Sequence, residues 1–217
     1  MSTTETTPEA TVYLVDDDPA VLKSLARLLR AENWRVETFE SAEAFLGGWN
    51  SAAPGCVVLD VDLPGLDGLE LQRRLSEAGS ELPIVFLSGQ GDIPMTVRAM
   101  QAGALDFLTK PVSAAALLAA VRTAVDRDVA ARLAKLNASE LHQRFERLSK
   151  REREVLHAVT AGKLNKQIAA DLGIAEQTVK FHRARIMERT QAKTTAELMA
   201  MAGALGIGPH GVSKGSD

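Results

Sequence analysis

Asp60 ends a short apolar run, Cys56-Val-Val-Leu59, and a turn-forming segment follows it, Val61-Asp-Leu-Pro64-Gly-Leu-Asp67-Gly68. Three comparable runs also end on polar groups. Asp16-Asp17 follows Val12-Tyr-Leu-Val15, Ser88 follows Pro83-Ile-Val-Phe-Leu87, and Lys110 follows Leu105-Asp-Phe-Leu-Thr109. Such a set can do phosphoryl chemistry. A carboxylate can serve as the nucleophile. Crowded carboxylates repel one another, and a divalent cation offsets that repulsion. Hard oxygen ligands suit Mg2+, which keeps waters and accepts phosphate oxygens. Lys110 would neutralise phosphoryl oxygens, and the Ser88 hydroxyl would donate a hydrogen bond to one of them. Phosphoryl transfer needs mainly positioning and charge, and this set supplies both. Asp60 is the expected phosphoryl acceptor.

These groups meet only if the apolar runs lie side by side. Each run is short enough for a buried strand, and helical spacing appears between them. Asp18-Pro19 opens a helix with Val21, Leu22, Leu25, Leu28 and Leu29 on one face, so Asp18 reads as a cap and not a ligand. Arg35 to Phe39 is a further strand. Ser41 caps a short helix, and helices follow at Leu69–Ala78, Ile93–Ala102 and from Ser113. Alternation of this kind predicts a parallel sheet covered on both faces. Five units in about 115 residues fit a flavodoxin-like winding, in which ligands sit beyond the carboxyl ends of the strands.

Composition sets further bounds. Cys56 is the single cysteine, so no intrachain disulfide can form, which suits a reducing cytoplasm. Met1 to Ala10 is polar, with no basic and apolar leader pattern. No run reaches the roughly 20 apolar residues of a membrane span, so no membrane partner is expected. Charge is uneven. Residues 1–146 hold 13 Lys and Arg against 21 Asp and Glu, whereas residues 147–217 hold 12 against 7. An acidic front and a basic back predict two domains with different partners, the second compatible with nucleic acid.

Asp16-Asp17, Asp60 with its Leu-Pro-Gly, Ser88-Gly89 and Lys110-Pro111 together resemble the receiver domain of two-component response regulators. The resemblance covers about residues 11–127. It implies that a histidine kinase phosphorylates Asp60. It implies Mg2+ held by Asp17, Asp60 and the backbone carbonyl of Asp62, with Asp16 acting through water. Ser88 would be the switch hydroxyl and Phe107 the switch aromatic, more often Tyr in that family. The Lys110-Pro111 bond would be cis. Asp62 is acidic where relatives often carry a basic, amide or apolar residue, and Gln90 stands where close relatives often have His. Both are expected to tune rates.

Leu118, Val121, Val125, Val129, Leu133, Leu136, Leu141, Phe145 and Leu148 recur at steps of mostly three or four. This predicts that the fifth helix continues as an amphipathic linker over about residues 128–147. Packing on its own domain is expected up to about Val125, and a partner helix beyond it. Asn137-Ala-Ser139 is a candidate break.

Ser149-Lys-Arg-Glu152 is a capping box that opens a helix with Val155, Leu156 and Val159 inside. Asn165 is the expected cap of a short helix with Ile168, Ala169 and Leu172. Gly173-Ile-Ala175 turns the chain into a third helix from Glu176. Thr194-Thr-Ala-Glu197 opens a fourth. A short helix, a Gly-containing turn and a longer helix predict a helix-turn-helix. Its second helix would enter the major groove and show Gln177, Thr178, Lys180, Phe181, His182, Arg183 and Arg185 outward, with Lys163 and Lys166 near the backbone.

Leu148-Ser-Lys-Arg-Glu-Arg-Glu-Val-Leu156, Asn165-Lys-Gln-Ile-Ala169 and Thr178-Val-Lys-Phe-His-Arg183 resemble the LuxR-type DNA-binding domain over about residues 148–206. A receiver followed by this domain is the FixJ/NarL class. The expected fold is therefore an α/β flavodoxin-like receiver with a five-stranded parallel sheet, then an all-α four-helix helix-turn-helix domain. Residues 1–10 and 207–217 are expected to be disordered. The expected function is that of a cytoplasmic response regulator, not an enzyme beyond autophosphorylation and autodephosphorylation. Phosphorylation would promote a homodimer that binds a double-stranded DNA operator and regulates transcription. In that class Lys180, Phe181 and Ala184 correspond to groove-facing positions. Two other readings stand beside it: a receiver that signals by protein contact without DNA, and an Asp-based phosphatase using Asp60-Val-Asp62. The phosphatase reading leaves Asp16-Asp17 and the basic end without a role.

Overall fold

The computed structural model describes residues 10–89 and 93–208. Gln90, most of the polar N-terminus and most of the Gly-rich tail lie outside the described residues. The chain divides into two compact units, Met1–Leu133 and Ala134–Asp217.

The first unit alternates β1 (Thr11–Val15), α1 (Pro19–Ala31), β2 (Arg35–Phe39), α2 (Ala42–Gly48), β3 (Gly55–Asp60), α3 (Gly68–Glu77), β4 (Ile84–Ser88), α4 (Ile93–Gln101), β5 (Asp106–Thr109) and the start of α5 (Ala114–Glu146). The strands form one sheet in the order β2-β1-β3-β4-β5, every neighbour parallel. Strand residues point alternately to opposite faces, and each face has its own apolar layer. Val12, Leu14, Cys56, Val58, Val85 and Leu87 face α1 and α5. Tyr13, Val15, Val57, Leu59, Ile84 and Phe86 face α2, α3 and α4. This is why the central strands read as unbroken apolar runs. Burial pushes the Cys56 thiol up to about 12, helped by the nearby Asp128 charge, so it is an inert core residue.

Helix α5 departs from the sequence expectation in two ways. It runs unbroken through Asn137-Ala-Ser139. It also packs on its own domain well past Val125. Asp128 is buried and its Oδ2 accepts from the Gly55 backbone N–H at 2.9 Å. Arg132 Nε donates to the same oxygen at 2.7 Å, while its other nitrogens reach the Ser51 and Ala52 carbonyls. A polar clamp therefore flanks Val129, which still packs on the receiver core, and holds this turn of the helix to its own domain. Periodicity of apolar residues is blind to such a clamp, because its members are charged. Leu133 and Leu136, the next apolar positions, are exposed.

The second unit contains the end of α5 with α6 (Lys150–Thr160), α7 (Asn165–Leu172), α8 (Glu176–Thr190) and α9 (Thr195–Ala204). Phe145, Leu148, Val155, Leu156, Ile168, Val179, Ile186 and Leu198 form its core. Ser149 and Glu152 make the expected reciprocal capping box. Glu152 is buried, and its carboxylate also pairs with Arg189 at 3.1 Å. Burial alone would raise its carboxyl, but the Ser149 hydrogen bonds and the Arg189 charge outweigh that and hold it below the usual range. Gly173 ends α7 in the left-handed region, φ 64°, as a tight turn between the two helices requires. Asn165 is not the cap of α7. Leu164 holds that position, its N–H satisfied by the Gln167 side chain, and Asn165 Oδ1 accepts from Arg183 instead.

Candidate functional site

The register of β1 on β3 pairs Val15 with Leu59, so Asp16 emerges next to Asp60. On the other side, β3 pairs Asp60 with Leu87 and β4 pairs Ser88 with Thr109. All four sequence-chosen strand ends thus open on one edge of the sheet. The strand order reverses between β1 and β3, the place where an open parallel sheet leaves a crevice.

Asp60 and Asp16 are both buried, at 4% and 2% exposure, whereas Asp17 is exposed. Carboxylate oxygens of Asp16, Asp17 and Asp60 lie within 4.8 Å of one another. Lys110 bridges the two buried acids, with Nζ 2.6 Å from Asp16 Oδ2 and 3.1 Å from Asp60 Oδ2. Asp16 Oδ1 also accepts the Asp18 backbone N–H at 3.0 Å, which fixes the carboxylate's orientation. Burial raises the Asp16 carboxyl against the pull of Lys110. Burial would lower the Lys110 ammonium, but Asp16 and Asp60 together hold it above its ordinary value, so it stays charged.

Asp60 Oδ1 is buried and has no hydrogen-bond partner among the described residues. An orphaned buried oxygen of an acidic group costs about 1 to 3 kcal/mol or more. A hard cation or a donor would remove that cost. The donor set fits a divalent metal: three carboxylates, one of them exposed and able to keep waters in place.

Ser88 is fully buried at the end of β4, and its carbonyl accepts the Lys110 N–H at 2.7 Å. The Lys110-Pro111 peptide is cis. Phe107, on β5, is half-buried, with its ring centroid 6.1 Å from that of Phe86. Asp62 is exposed and lines a cleft with Asp17, Asp67, Met95 and Arg98.

Sequence reasoning passed over Gly68, the first residue of α3. A Cβ there would sit 2.4 Å from the Asp60 carbonyl oxygen and 3.1 Å from Phe86 Cε1. Gly68 lets α3 start directly against the backbone of the candidate acceptor. The sequence marked it only as a turn residue, because how closely the loop returns to the Asp60 backbone is set by the fold. Gly68→Ala is expected to destabilise the first unit by about 2 kcal/mol. It should also slow labelling of Asp60 by acetyl phosphate, since the acceptor's own backbone must shift. Thermal unfolding and a labelling time course check both.

In the second unit, α8 presents Gln177, Lys180, Phe181, Ala184 and Arg185 to solvent. Thr178, His182 and Arg183 are half-buried. Here the outward face differs from expectation. His182 turns its Nδ1 into the interior. Arg183 donates to Asn165 Oδ1 at 3.1 Å and to Thr195 Oγ1 at 3.2 Å, so its guanidinium braces α7 and α9. Helical spacing alone puts residues 182 and 183 beside the outward stripe; contacts with neighbouring helices decided the rest. Lys166 is exposed on α7, and Lys163 pairs with Asp171 at 2.6 Å.

Comparisons with known proteins agree with this architecture. The family described as "Response regulator receiver domain" matches residues 12–122, and "Bacterial regulatory proteins, luxR family" matches residues 146–202. The chain is 47% identical over 191 residues to the response regulator protein TmoT of Ectopseudomonas mendocina, covering 88% of this chain and 87% of that one. It is 42% identical over 199 residues to the transcriptional regulatory protein FixJ of Rhizobium meliloti (strain 1021), covering 92% and 98%. Among solved structures, that of the response regulator StyR is similar with a TM-score of 0.84 and 44% identity, covering 90% of this chain and 98% of that chain. The chain therefore belongs to the response regulators, as a flavodoxin-like receiver domain followed by a LuxR-type helix-turn-helix DNA-binding domain.

Proposed function

We propose that a partner histidine kinase phosphorylates Asp60 and that this controls binding of the second domain to a double-stranded DNA operator. The observation that carries the reading is the buried, partnerless Asp60 Oδ1 beside Lys110 and two further carboxylates. A carboxylate oxygen of Asp60 attacks the phosphorus of a phosphohistidine. The new O–P bond gives an acyl phosphate, the P–N bond breaks, and the imidazole leaves to take a proton. Lys110 holds a phosphoryl oxygen, and the Ser88 hydroxyl follows it as the switch group. Phe107 is the switch aromatic. Asp17, Asp60 and the Asp62 carbonyl would hold Mg2+, with Asp16 acting through water, and the ion would supply positive charge against that building on the phosphoryl oxygens.

Exposed Ile93, Val97 and Met100 recur along α4 at helical spacing, which supports dimerisation of the phosphorylated protein through the face of α4, β5 and α5. Residues 128–147 link the receiver, 11–127, to the DNA-binding domain, 148–206. Lys163, Lys166, Gln177, Thr178, Lys180, Phe181 and Arg185 make the DNA contacts. His182 and Arg183 act at the edge of that surface, largely by holding α8 in place. No helix among the described residues is long and apolar enough to cross a membrane; the cytoplasmic location belongs to this reading because its proposed target is a DNA operator. Its own chemistry is confined to gaining and losing the phosphoryl group.

Acetyl phosphate with Mg2+ is expected to label the full-length protein stoichiometrically at Asp60 and to raise its affinity for a selected operator. Chelation of Mg2+ should stop the labelling. Labelling at another residue, or an affinity unchanged by labelling, would overturn the reading.

A further inference from the structure

Within the second unit, the end of α5, helix α6 and the turn after α9 border a cleft of about 760 Å3. Sites for small molecules span about 300 to 1,000 Å3. The floor is apolar and fixed, because Phe145, Leu148 and Leu156 are buried core residues. Gly206, in the left-handed region at φ 70°, turns the chain after α9, and the Ile207 N–H returns to the Ala202 carbonyl at 2.9 Å. That turn adds the half-buried Leu205 and Ile207 to the wall. The mouth is polar. Exposed Arg153 lines it, and its Nη2 donates to the Glu146 carbonyl, at the open end of α5, at 3.1 Å. This bond steadies the guanidinium, yet Arg153 makes no ion pair among the described residues. Its neighbour Arg151, by contrast, pairs with Glu154 at 2.7 Å. His142 and His157 line the same cleft. Glu146 lines it too, but its Oε1 is turned to His142 Nε2 at 3.3 Å.

The planar fork of a guanidinium matches a carboxylate with two parallel hydrogen bonds. An apolar floor takes an apolar body. We infer that this cleft is a binding site for a small amphipathic carboxylic acid, with its carboxylate on Arg153 and its alkyl or aryl body against Phe145, Leu156 and Ile207. An unpaired guanidinium above an apolar floor decides the class of ligand. An inorganic anion has no apolar body for the floor, and a neutral hydrocarbon leaves Arg153 without a partner. Helix α8 contributes no residue to the lining, so the site is separate from the proposed DNA-reading face and does not rest on that reading.

The test uses full-length protein with isotope-labelled leucine and isoleucine methyl groups, followed by NMR. The probes are octanoate and naphthoate, with naphthamide as the neutral twin of the second. Both acids are expected to move the methyl signals of Leu148, Leu156, Leu205 and Ile207 in a saturable way and to leave those of the receiver core in place. Naphthamide keeps the shape and lacks the charge, so it should bind about tenfold more weakly than naphthoate. Arg153→Gln should weaken naphthoate about tenfold and leave naphthamide unchanged, which separates loss of the guanidinium from a disturbed fold. Equal binding of acid and amide by the wild type overturns the inference, as does unchanged affinity for naphthoate in the variant. Should the variant lose both probes together, the wild-type ratio of acid to amide still decides. Shifts confined to methyl groups outside the cleft, or no saturable shift at all, also overturn it. If the same signals move when protein concentration is raised without a probe, the occupant is a second copy and the inference fails.

Discussion

Asp60→Asn is expected to abolish phosphoryl labelling, by acetyl phosphate and by a kinase alike, while the fold keeps or gains stability. An amide has nearly the shape of a carboxylate but no nucleophilic oxygen anion, so the acceptor is lost without a cavity. The sign of the stability effect follows from the local charges. Asp60 and Asp16 are buried within reach of one ammonium, so one negative charge of the pair is incompletely compensated. Neutralising Asp60 leaves Lys110 fully to Asp16 and relieves the repulsion. Labelling followed by mass measurement and a thermal scan check the two halves. Persistent labelling of the variant would sink the assignment of Asp60. A large loss of stability would show that the buried charge is better compensated than the distances to Lys110 imply.

Lys110→Met is expected to slow phosphoryl transfer about 100-fold and to tighten Mg2+ binding at the same time. Methionine keeps much of the apolar stem and removes the charge. A fixed charge aimed at a developing phosphoryl dianion is worth roughly that factor. The opposite effect on the metal comes from the same atom. Nζ lies 2.6 Å from Asp16 and 3.1 Å from Asp60, so it competes with a cation for the same oxygens. Without it the acidic cluster is more negative and holds a divalent ion more strongly. In metal-free buffer the variant should lose about 3 kcal/mol of stability, because a buried pair is broken on one side. Titration with Mg2+, a labelling time course and denaturant unfolding separate these effects. A weaker Mg2+ affinity in Lys110→Met would contradict the bridging role of Lys110.

Much of this molecule is legible in its sequence. Four apolar runs and a fifth, mixed strand, all alternating with amphipathic stretches, specify a parallel sheet with covered faces, because only a strand buried on both sides can be apolar throughout. The polar residue at each run's end was then bound to lie on one edge, and the observed register carries Asp16, Asp60, Ser88 and Lys110 there. The helix-turn-helix was legible from the Ser149 capping box, Gly173 and the apolar spacing of α6 to α8. These features are local or periodic, and local chemistry suffices to specify them.

Tertiary structure alone decided the rest, and in each case the partner lies outside the element's own turn, so local pattern does not reveal it. The clamp of Asp128 and Arg132 depends on Gly55 and on the Ser51 and Ala52 carbonyls, more than 70 residues earlier. Gly68 is required by the backbone of Asp60 and by a ring on β4. His182 and Arg183 occupy helix positions next to the exposed stripe, yet neighbouring helices draw their polar atoms inward. By itself the sequence determined which chemistry the chain carries and which elements must present it, since residue type and period are properties of short segments. The burial of Asp16 and Asp60, the partnerless Oδ1 of Asp60 and the inward turn of the His182 ring were decided only by packing, because desolvation depends on what the rest of the chain places around each group.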